Sequence, residues 1–179
     1  NLMGVVRGCK YFSEVFKQQG FGHIVNTASM AGLVHSPEMS SYNATKAAVV
    51  ALSETLRGEL RPYGIDVTVV CPGFFPTNLA ESTRSPDAGA QALVAKMLSR
   101  SKIGADDIAN MIFSAIEQKK YLVLPHPSYR RLWYLKRFMP FLYALLMGKI
   151  GSKIASMRKT RTTLAPPASS VTSSEGSAK

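Results

Sequence analysis

The chain has 179 residues, of which 46% are hydrophobic and 18% charged, and its 22 basic and 11 acidic residues give a net charge of +11. This length suffices for one domain with its own core and excludes two large ones. Residues 1–118 hold ten basic and ten acidic residues, whereas residues 119–174 hold eleven basic residues and no acid. Composition therefore excludes a uniformly basic nucleic-acid-binding globule, and the apolar content excludes a wholly disordered chain.

Two cysteines and three histidines limit the possible chemistry. Cys9 and Cys71 each lie in an apolar run, which predicts buried thiols in a reducing compartment such as the cytoplasm. The scattered histidines suggest no metal site. The chain begins with Asn1 and shows no signal-peptide pattern, so we interpret it as part of a longer protein.

The predicted elements alternate between helices and strands. Apolar spacing predicts a helix over residues 1–19, and β-rich runs predict strands at His23–Thr27 and Ile65–Cys71, the second covered on both faces. A helix with a small-residue face is predicted over Met39–Arg61. The remaining predicted elements are a helix near 88–99, a helix starting at Asp106-Asp107 and a strand at 121–124. This order predicts an α/β fold with a Rossmann-like, doubly wound parallel sheet.

The chain changes character after Pro125. Residues 126–161 predict a basic amphipathic helical extension, which Pro140 should split into two helices, and residues 162–179 predict a disordered tail. The longest uncharged stretch of the extension has eleven residues, fewer than the roughly 20 that span a bilayer. Interleaved cations and apolar side chains over 129–161 predict contact with an anionic membrane surface. The alternatives are a lid over an apolar cleft and a subunit interface; nucleic acid is disfavoured.

Ser29, Tyr42 and Lys46 form the pattern Ser-x12-Tyr-x3-Lys. Ser29 follows a predicted strand, at the edge where open α/β sheets bind ligands, and Tyr42 and Lys46 share one face of a helix. An ammonium within a few Å of a phenol favours the phenolate, which makes a tyrosine usable as a general acid or base. Taken alone, the Tyr-x3-Lys pair also fits a solvated pair on a helix.

The sequence on either side of Tyr42 and Lys46 makes the pattern more specific than the Tyr-x3-Lys pair alone. The first strand ends in Asn-Thr-Ala-Ser before Gly32, and the second ends in Cys-Pro-Gly before Thr77. With this context, residues 1–125 resemble the short-chain dehydrogenase/reductase family. The resemblance implies that Tyr42 is the catalytic acid/base and that Ser29 hydrogen-bonds the substrate oxygen. It also implies that Lys46 holds the nicotinamide ribose and makes the tyrosine more acidic.

The same resemblance assigns two further groups. Asn1 matches the asparagine that holds a water of the proton relay, although it also fits a simple helix N-cap. Pro72, Gly73 and Thr77 match the loop beside the nicotinamide, in which Phe75 replaces the family's valine. Pro72-Gly73 alone also fits an ordinary strand-ending turn. The implied cofactor is NAD or NADP, with NADP slightly favoured.

One family motif does not occur in the chain, the Gly-x-x-x-Gly-x-Gly run that binds adenosine and pyrophosphate. We therefore interpret residues 1–125 as the catalytic part of a Rossmann domain whose dinucleotide-binding half is absent. The expected function is an NAD(P)-dependent oxidoreductase that interconverts a carbonyl and an alcohol, although this chain alone should be inactive. The alternative is a catalytically inactive fragment acting as a membrane-peripheral or interaction protein.

The resemblance also bears on substrate and assembly. Residues 30–39 and 79–100 would border the substrate, which favours a small apolar carbonyl/alcohol pair, although several of these side chains equally fit the core. The apolar members of this border are Leu33, Val34, Met39, Phe74, Phe75 and Leu79. The faces Leu2–Phe16 and Ala44–Leu56 are similar to the family's paired-helix interface, so a homo-oligomer is expected.

Overall fold

The computed structural model describes residues 1–76, 98–99 and 101–164, with side chains through residue 157. The helices are α1 (Met3–Gln19), α2 (Ser40–Leu60), α3 (Ala105–Glu117), α4 (Pro127–Phe138) and α5 (Pro140–Leu164). The strands are β1 (Gly22–Thr27), β2 (Ile65–Val70) and β3 (Leu122–Val123). Short 3-10 turns occupy Met30–Gly32 and Arg61–Tyr63. Most of the helix predicted near 88–99 lies outside the described residues.

The three strands form one parallel sheet in the order β1-β2-β3. The register of β1 and β2 runs from Gly22 opposite Ile65 to Thr27 opposite Val70, and Val70 also pairs with Val123. All three strands therefore end at the same edge of the sheet. The predicted α/β class, the parallel sheet and the helix–strand alternation are confirmed.

Helices cover both faces of β2, as its continuous apolar run predicts. Ile65 and Val67 pack with Leu60 of α2 and Cys9 of α1, which places both helices on one face. Val70 packs with Ile108 and Ala115 of α3 on the opposite face. Five of the six β2 residues are buried. The sheet is thus the middle layer of an α/β sandwich.

A set of buried, hydrogen-bonded side chains connects α1, β1 and α2. The Asn26 Nδ2 donates to Ser53 Oγ at 3.0 Å and to Cys9 Sγ at 3.3 Å. The Ser53 hydroxyl in turn donates to the Val49 carbonyl at 2.7 Å. Because buried polar atoms are costly unless they are hydrogen-bonded, this set fixes the register of both helices against β1.

The extension is helical but differs in two ways from its predicted form. Met139 leaves the helical conformation and Pro140 begins α5, so the split at Pro140 is confirmed. However, α5 continues to Leu164, past the predicted end at residue 161. Its apolar side chains also do not share one face, because Tyr143 packs inward while Phe141 and Leu145 are exposed. The expectation of an amphipathic helix is wrong for α5.

The extension packs against the carboxyl edge of the sheet. Tyr143 of α5 and Trp133 of α4 belong to the cluster that contains Val69 and Cys71 at the end of β2. Within residues 1–76, 98–99 and 101–164, no helix has both the length and the apolar character needed to cross a membrane.

Candidate active site

Ser29 lies two residues beyond β1 and begins the turn Met30–Gly32. Its Oγ accepts a hydrogen bond from the Ala31 N–H at 3.1 Å and donates to the Pro72 carbonyl at 3.5 Å. The Met30 N–H donates to the same carbonyl at 2.9 Å. The ends of β1 and β2 are therefore tied together, with the Ser29 hydroxyl between them.

A close backbone contact sets the distance between this turn and α2. A Cβ built at Gly32 would lie 2.6 Å from the carbonyl oxygen of Lys46. Only a glycine permits such an approach without displacing backbone. Gly32 thereby fixes where the first turns of α2, which carry Tyr42 and Lys46, stand relative to Ser29.

Lys46 returns to the strand end from α2. Its Nζ donates to the Thr27 carbonyl, the last of β1, at 3.1 Å and lies 6.0 Å from the centre of the Tyr42 ring. Both side chains are half-buried. The predicted sharing of one helix face is confirmed, and the shared face points to the carboxyl edge of the sheet.

Burial shapes the electrostatics of this edge. Desolvation lowers the pKa of Lys46, an effect that the nearby Cys71 opposes. Burial raises the pKa of Cys71 to about 12, so this sulfur remains a neutral thiol. Among the described residues Lys46 forms no ion pair with a carboxylate. The ammonium therefore has no carboxylate partner in this part of the chain, and its hydrogen bond goes to the Thr27 carbonyl.

The loop that follows β2 contains the candidate nicotinamide residues. Pro72 is buried, Gly73 and Phe75 are half-buried, and Phe75 packs against the Val70 cluster. The Gly73 N–H donates to a ring nitrogen of His126 at 3.1 Å. Thr77 lies outside the described residues. Asn1 is exposed ahead of α1, whose N-cap is Leu2, so the N-cap alternative for Asn1 is wrong.

The segment between Ser29 and Tyr42 contacts the extension. Lys136 of α4 donates to the Leu33 carbonyl at 2.7 Å, and the Tyr143 hydroxyl accepts from the His35 N–H at 2.9 Å. Val34 is buried in the core, whereas Leu33 and Met39 are only half-buried. Of the expected substrate border, Val34 is thus a core residue, and Leu79 lies outside the described residues.

Comparisons with known proteins identify the family. The model of the short chain dehydrogenase family matches residues 1–88. The chain is 34% identical over 149 residues to "Probable oxidoreductase EphD" of Mycobacterium tuberculosis, covering 78% of this chain and 25% of that protein. The chain belongs to the short-chain dehydrogenase/reductase family.

Solved members of the short-chain dehydrogenase/reductase family share the fold. One from Burkholderia phymatum, in complex with NAD, is 34% identical with a TM-score of 0.71, over 79% of this chain and 56% of that one. One from Burkholderia cenocepacia, in complex with NADP, is 22% identical with a TM-score of 0.65, over 81% of this chain and 54% of that one. The chain thus spans a quarter of EphD and about half of these two structures.

Sequence reasoning missed the contribution of the extension to this short-chain dehydrogenase/reductase site. Neither His126 nor Lys136 and Tyr143 belongs to the recognised motif, and their partners are 53, 103 and 108 residues away in sequence. One signal was available for His126, because it follows a predicted strand by two residues, just as Ser29 follows β1. The carboxyl ends of parallel strands share one edge, so a polar residue after β3 belongs near Ser29 and Pro72.

Proposed function

We propose that this chain carries the acid/base centre of an NAD(P)-dependent oxidoreductase that interconverts a carbonyl and an alcohol. The observation that carries the proposal is the placement of Lys46 Nζ, bonded to the Thr27 carbonyl at 3.1 Å and 6.0 Å from the Tyr42 ring. Ser29 lies at the same edge. A phenol, an ammonium and a hydroxyl at one strand end are the groups that proton transfer to a carbonyl oxygen requires.

Each side chain has a defined task in this proposal. A nicotinamide cofactor, when bound, supplies or accepts the hydride. The Tyr42 hydroxyl gives its proton to the carbonyl oxygen in reduction and takes a proton from the alcohol in oxidation. The Lys46 ammonium stabilises the resulting phenolate. The Ser29 hydroxyl, whose bond to the Pro72 carbonyl is long at 3.5 Å, can turn to the substrate oxygen and stabilise charge there.

The residues at this edge fit the nicotinamide end of the cofactor. Lys46 offers an ammonium without a carboxylate partner among the described residues, and the loop Pro72–Phe75 offers backbone groups beside it. The family's glycine-rich run, which binds the adenosine end, does not occur in the sequence. We therefore propose that this chain alone binds NADH and NADPH weakly. Isothermal titration checks this, and micromolar affinity for either would contradict it.

The proposed substrate is an apolar carbonyl/alcohol pair. Leu33, Met39, Phe74 and Phe75 of the expected substrate border are half-buried, so each retains apolar surface that a substrate can cover. A sugar would leave its hydroxyls without partners against such a border. Comparing kcat/KM for an aliphatic ketone and a polyhydroxylated ketone of equal size, in the complete protein expressed from its own gene, decides this point.

Replacing Tyr42 with phenylalanine tests the function. In the complete protein, Tyr42→Phe should lower kcat by about 10²–10⁴-fold, because proton transfer is lost while the ring is kept. Cofactor affinity should stay near that of the wild type. Tyr63→Phe is the matched control, since Tyr63 is an exposed tyrosine beyond the far end of α2. A Tyr42→Phe protein with wild-type kcat would refute the assignment.

We also propose that the enzyme works at an anionic membrane surface and as a homo-oligomer. Supporting the first, Phe138 and Phe141 are each 73% exposed in a segment with nine cations and no acid between residues 129 and 161. Supporting the second, α1 exposes Met3, Tyr11 and Phe12. Sedimentation equilibrium checks the assembly. The inactive-fragment alternative receives no support, because the matching relatives carry the names of oxidoreductases and dehydrogenases.

A further inference from the structure

His126 is a buried histidine outside the recognised motif. It follows β3, precedes α4 and is only 6% exposed. Its Nδ1 accepts a hydrogen bond from the Gly73 N–H at 3.1 Å. A residue of the extension therefore holds the backbone of the loop Pro72–Phe75 directly.

The hydrogen bonds around the second ring nitrogen define its protonation. His126 Nε2 lies 3.3 Å from Ser101 Oγ. That hydroxyl uses its one hydrogen toward the Ile103 carbonyl at 3.1 Å and accepts from the Ile103 N–H. It is then placed to accept from Nε2–H. Because Nδ1 accepts from the Gly73 N–H and so carries no hydrogen, we assign the ring as the neutral tautomer protonated at Nε2.

Tyr129 packs beside the hydrogen bond between Gly73 and His126. Its ring meets the His126 ring edge-on, with centroids 5.8 Å apart. A Cβ built at Gly73 would overlap the Tyr129 ring. A larger residue at position 73 would therefore require the Tyr129 ring or the loop to move.

We propose that His126 is a positioning residue, which acts through the Gly73 N–H to hold the loop Pro72–Phe75 in the conformation that receives the nicotinamide end of the cofactor. The proposal rests on the function proposed above, because that function assigns this loop to the cofactor. His126 does not touch the reacting atoms in it. Its effect should therefore fall on the cofactor KM more than on kcat.

The contact depends on pH in a definite direction. Burial lowers the pKa of His126 below the ordinary histidine value, although the Phe74 carbonyl opposes this. The other groups facing the ring are the Ser101 hydroxyl and the phenol of Tyr129, whose pKa burial raises. No charged side chain of the described residues is among the causes of the shift. The hydrogen bond from Gly73 to His126 is fully formed above a pH of about 6.5, the ordinary pKa of histidine in an unfolded chain. It is lost as the pH falls through the lowered pKa of His126, because a protonated Nδ1 cannot accept from the Gly73 N–H.

Two substitutions in the complete protein separate positioning from mere stability. His126→Ala removes the acceptor and should raise the cofactor KM about tenfold at neutral pH, with a smaller change in kcat. His126→Asn places Oδ1 near the former Nδ1, so the KM should stay within about threefold of the wild type. The wild-type KM should rise at acidic pH, while both variants should lose this dependence. His23→Asn is the matched control, because His23 bonds Thr68 at the opposite edge of the sheet.

Glycine-selective 15N labelling supplies a readout that needs no turnover. The Gly73 amide signal should shift with the titration of His126 in the wild type and should be insensitive to pH in His126→Asn. A Gly73 amide that does not follow His126, or a His126→Asn protein with the KM of His126→Ala, would overturn the proposal. An inactive wild type whose Gly73 amide still titrates would refute the proposed function and support the contact.

Discussion

Helices α2 and α5 are similar in length, 21 and 25 residues, yet they relate to the protein in opposite ways. Over its whole length α2 exposes no large apolar side chain, and its Val49 and Leu60 are almost completely buried. In α5 only Tyr143 is buried among the described side chains, while Phe141 and Leu145 are at least half exposed.

The difference shows how each helix is stabilised and which role it can have in the protein. An apolar side chain that is already buried contributes to folding, whereas one left in water contributes only when a partner covers it. Helix α2 is therefore fixed by the sheet and can hold Tyr42 and Lys46 in place. Helix α5 is anchored by Tyr143 and the half-buried Met147, which pack on the core, and exposes Phe141 and Leu145 to solvent.

The largest effect should come from a substitution that disrupts the close packing between α2 and the turn Met30–Gly32, which Ser29 begins. In Gly32→Ala, the new Cβ would meet the Lys46 carbonyl at 2.6 Å, so backbone must move. We expect a loss of about 2–3 kcal/mol in unfolding free energy and a fall of about 100-fold in kcat/KM, since small misplacements cost that much. Urea unfolding and steady-state kinetics check this.

Gly58→Ala in α2 is the control for that substitution. A Cβ at Gly58 would meet nothing within 4 Å, and alanine is the better helix former. It should raise the unfolding free energy by about 0.5–1 kcal/mol and leave kcat/KM unchanged. Equal effects of the two substitutions would mean that the close approach at Gly32 does not govern the site.

A smaller difference in unfolding free energy is expected between alanine variants of two serines that make the same local hydrogen bond. Ser53 of α2 and Ser152 of α5 each donate to the carbonyl four residues earlier, at 2.7 and 3.0 Å. Only Ser53 is buried, and only Ser53 also accepts from Asn26. Ser53→Ala should lower the unfolding free energy by about 1–2 kcal/mol, because it leaves Asn26 without an oxygen acceptor.

Ser152→Ala should change the unfolding free energy by less than about 0.5 kcal/mol, because water replaces its exposed bond. Thermal or urea unfolding of the two variants under one buffer condition gives the comparison. A destabilisation of similar size in both would show that the buried network around Asn26 adds nothing to α2.

Helix α2 and the strands were predictable because their signals are local. The spacing of Tyr42 and Lys46, the turn at Pro62 and the apolar run from Ile65 all lie within about two turns of what they specify. The contacts of the extension are not local, since Tyr143 meets His35 across 108 residues. The same limit explains the error over α5: a pattern of cations and apolar residues cannot tell which apolar side chains the core will bury.

A small effect on unfolding free energy should accompany a large effect on membrane binding when exposed apolar side chains of α5 are replaced. Phe141 and Leu145 lie one turn apart on α5 and border a shallow groove with Lys149. The double variant Phe141→Ser, Leu145→Ser should lower the unfolding free energy by less than about 1 kcal/mol, because exposed apolar groups add little to folding. It should abolish co-sedimentation with vesicles of phosphatidylcholine and phosphatidylserine, since these apolar side chains would insert into the membrane.

The double variant Lys149→Gln, Lys153→Gln should instead weaken binding by about 1 kcal/mol per cation, and only to anionic vesicles. If vesicle binding survives the serine substitutions, or if the wild type does not bind, Phe141 and Leu145 of α5 do not form a membrane contact.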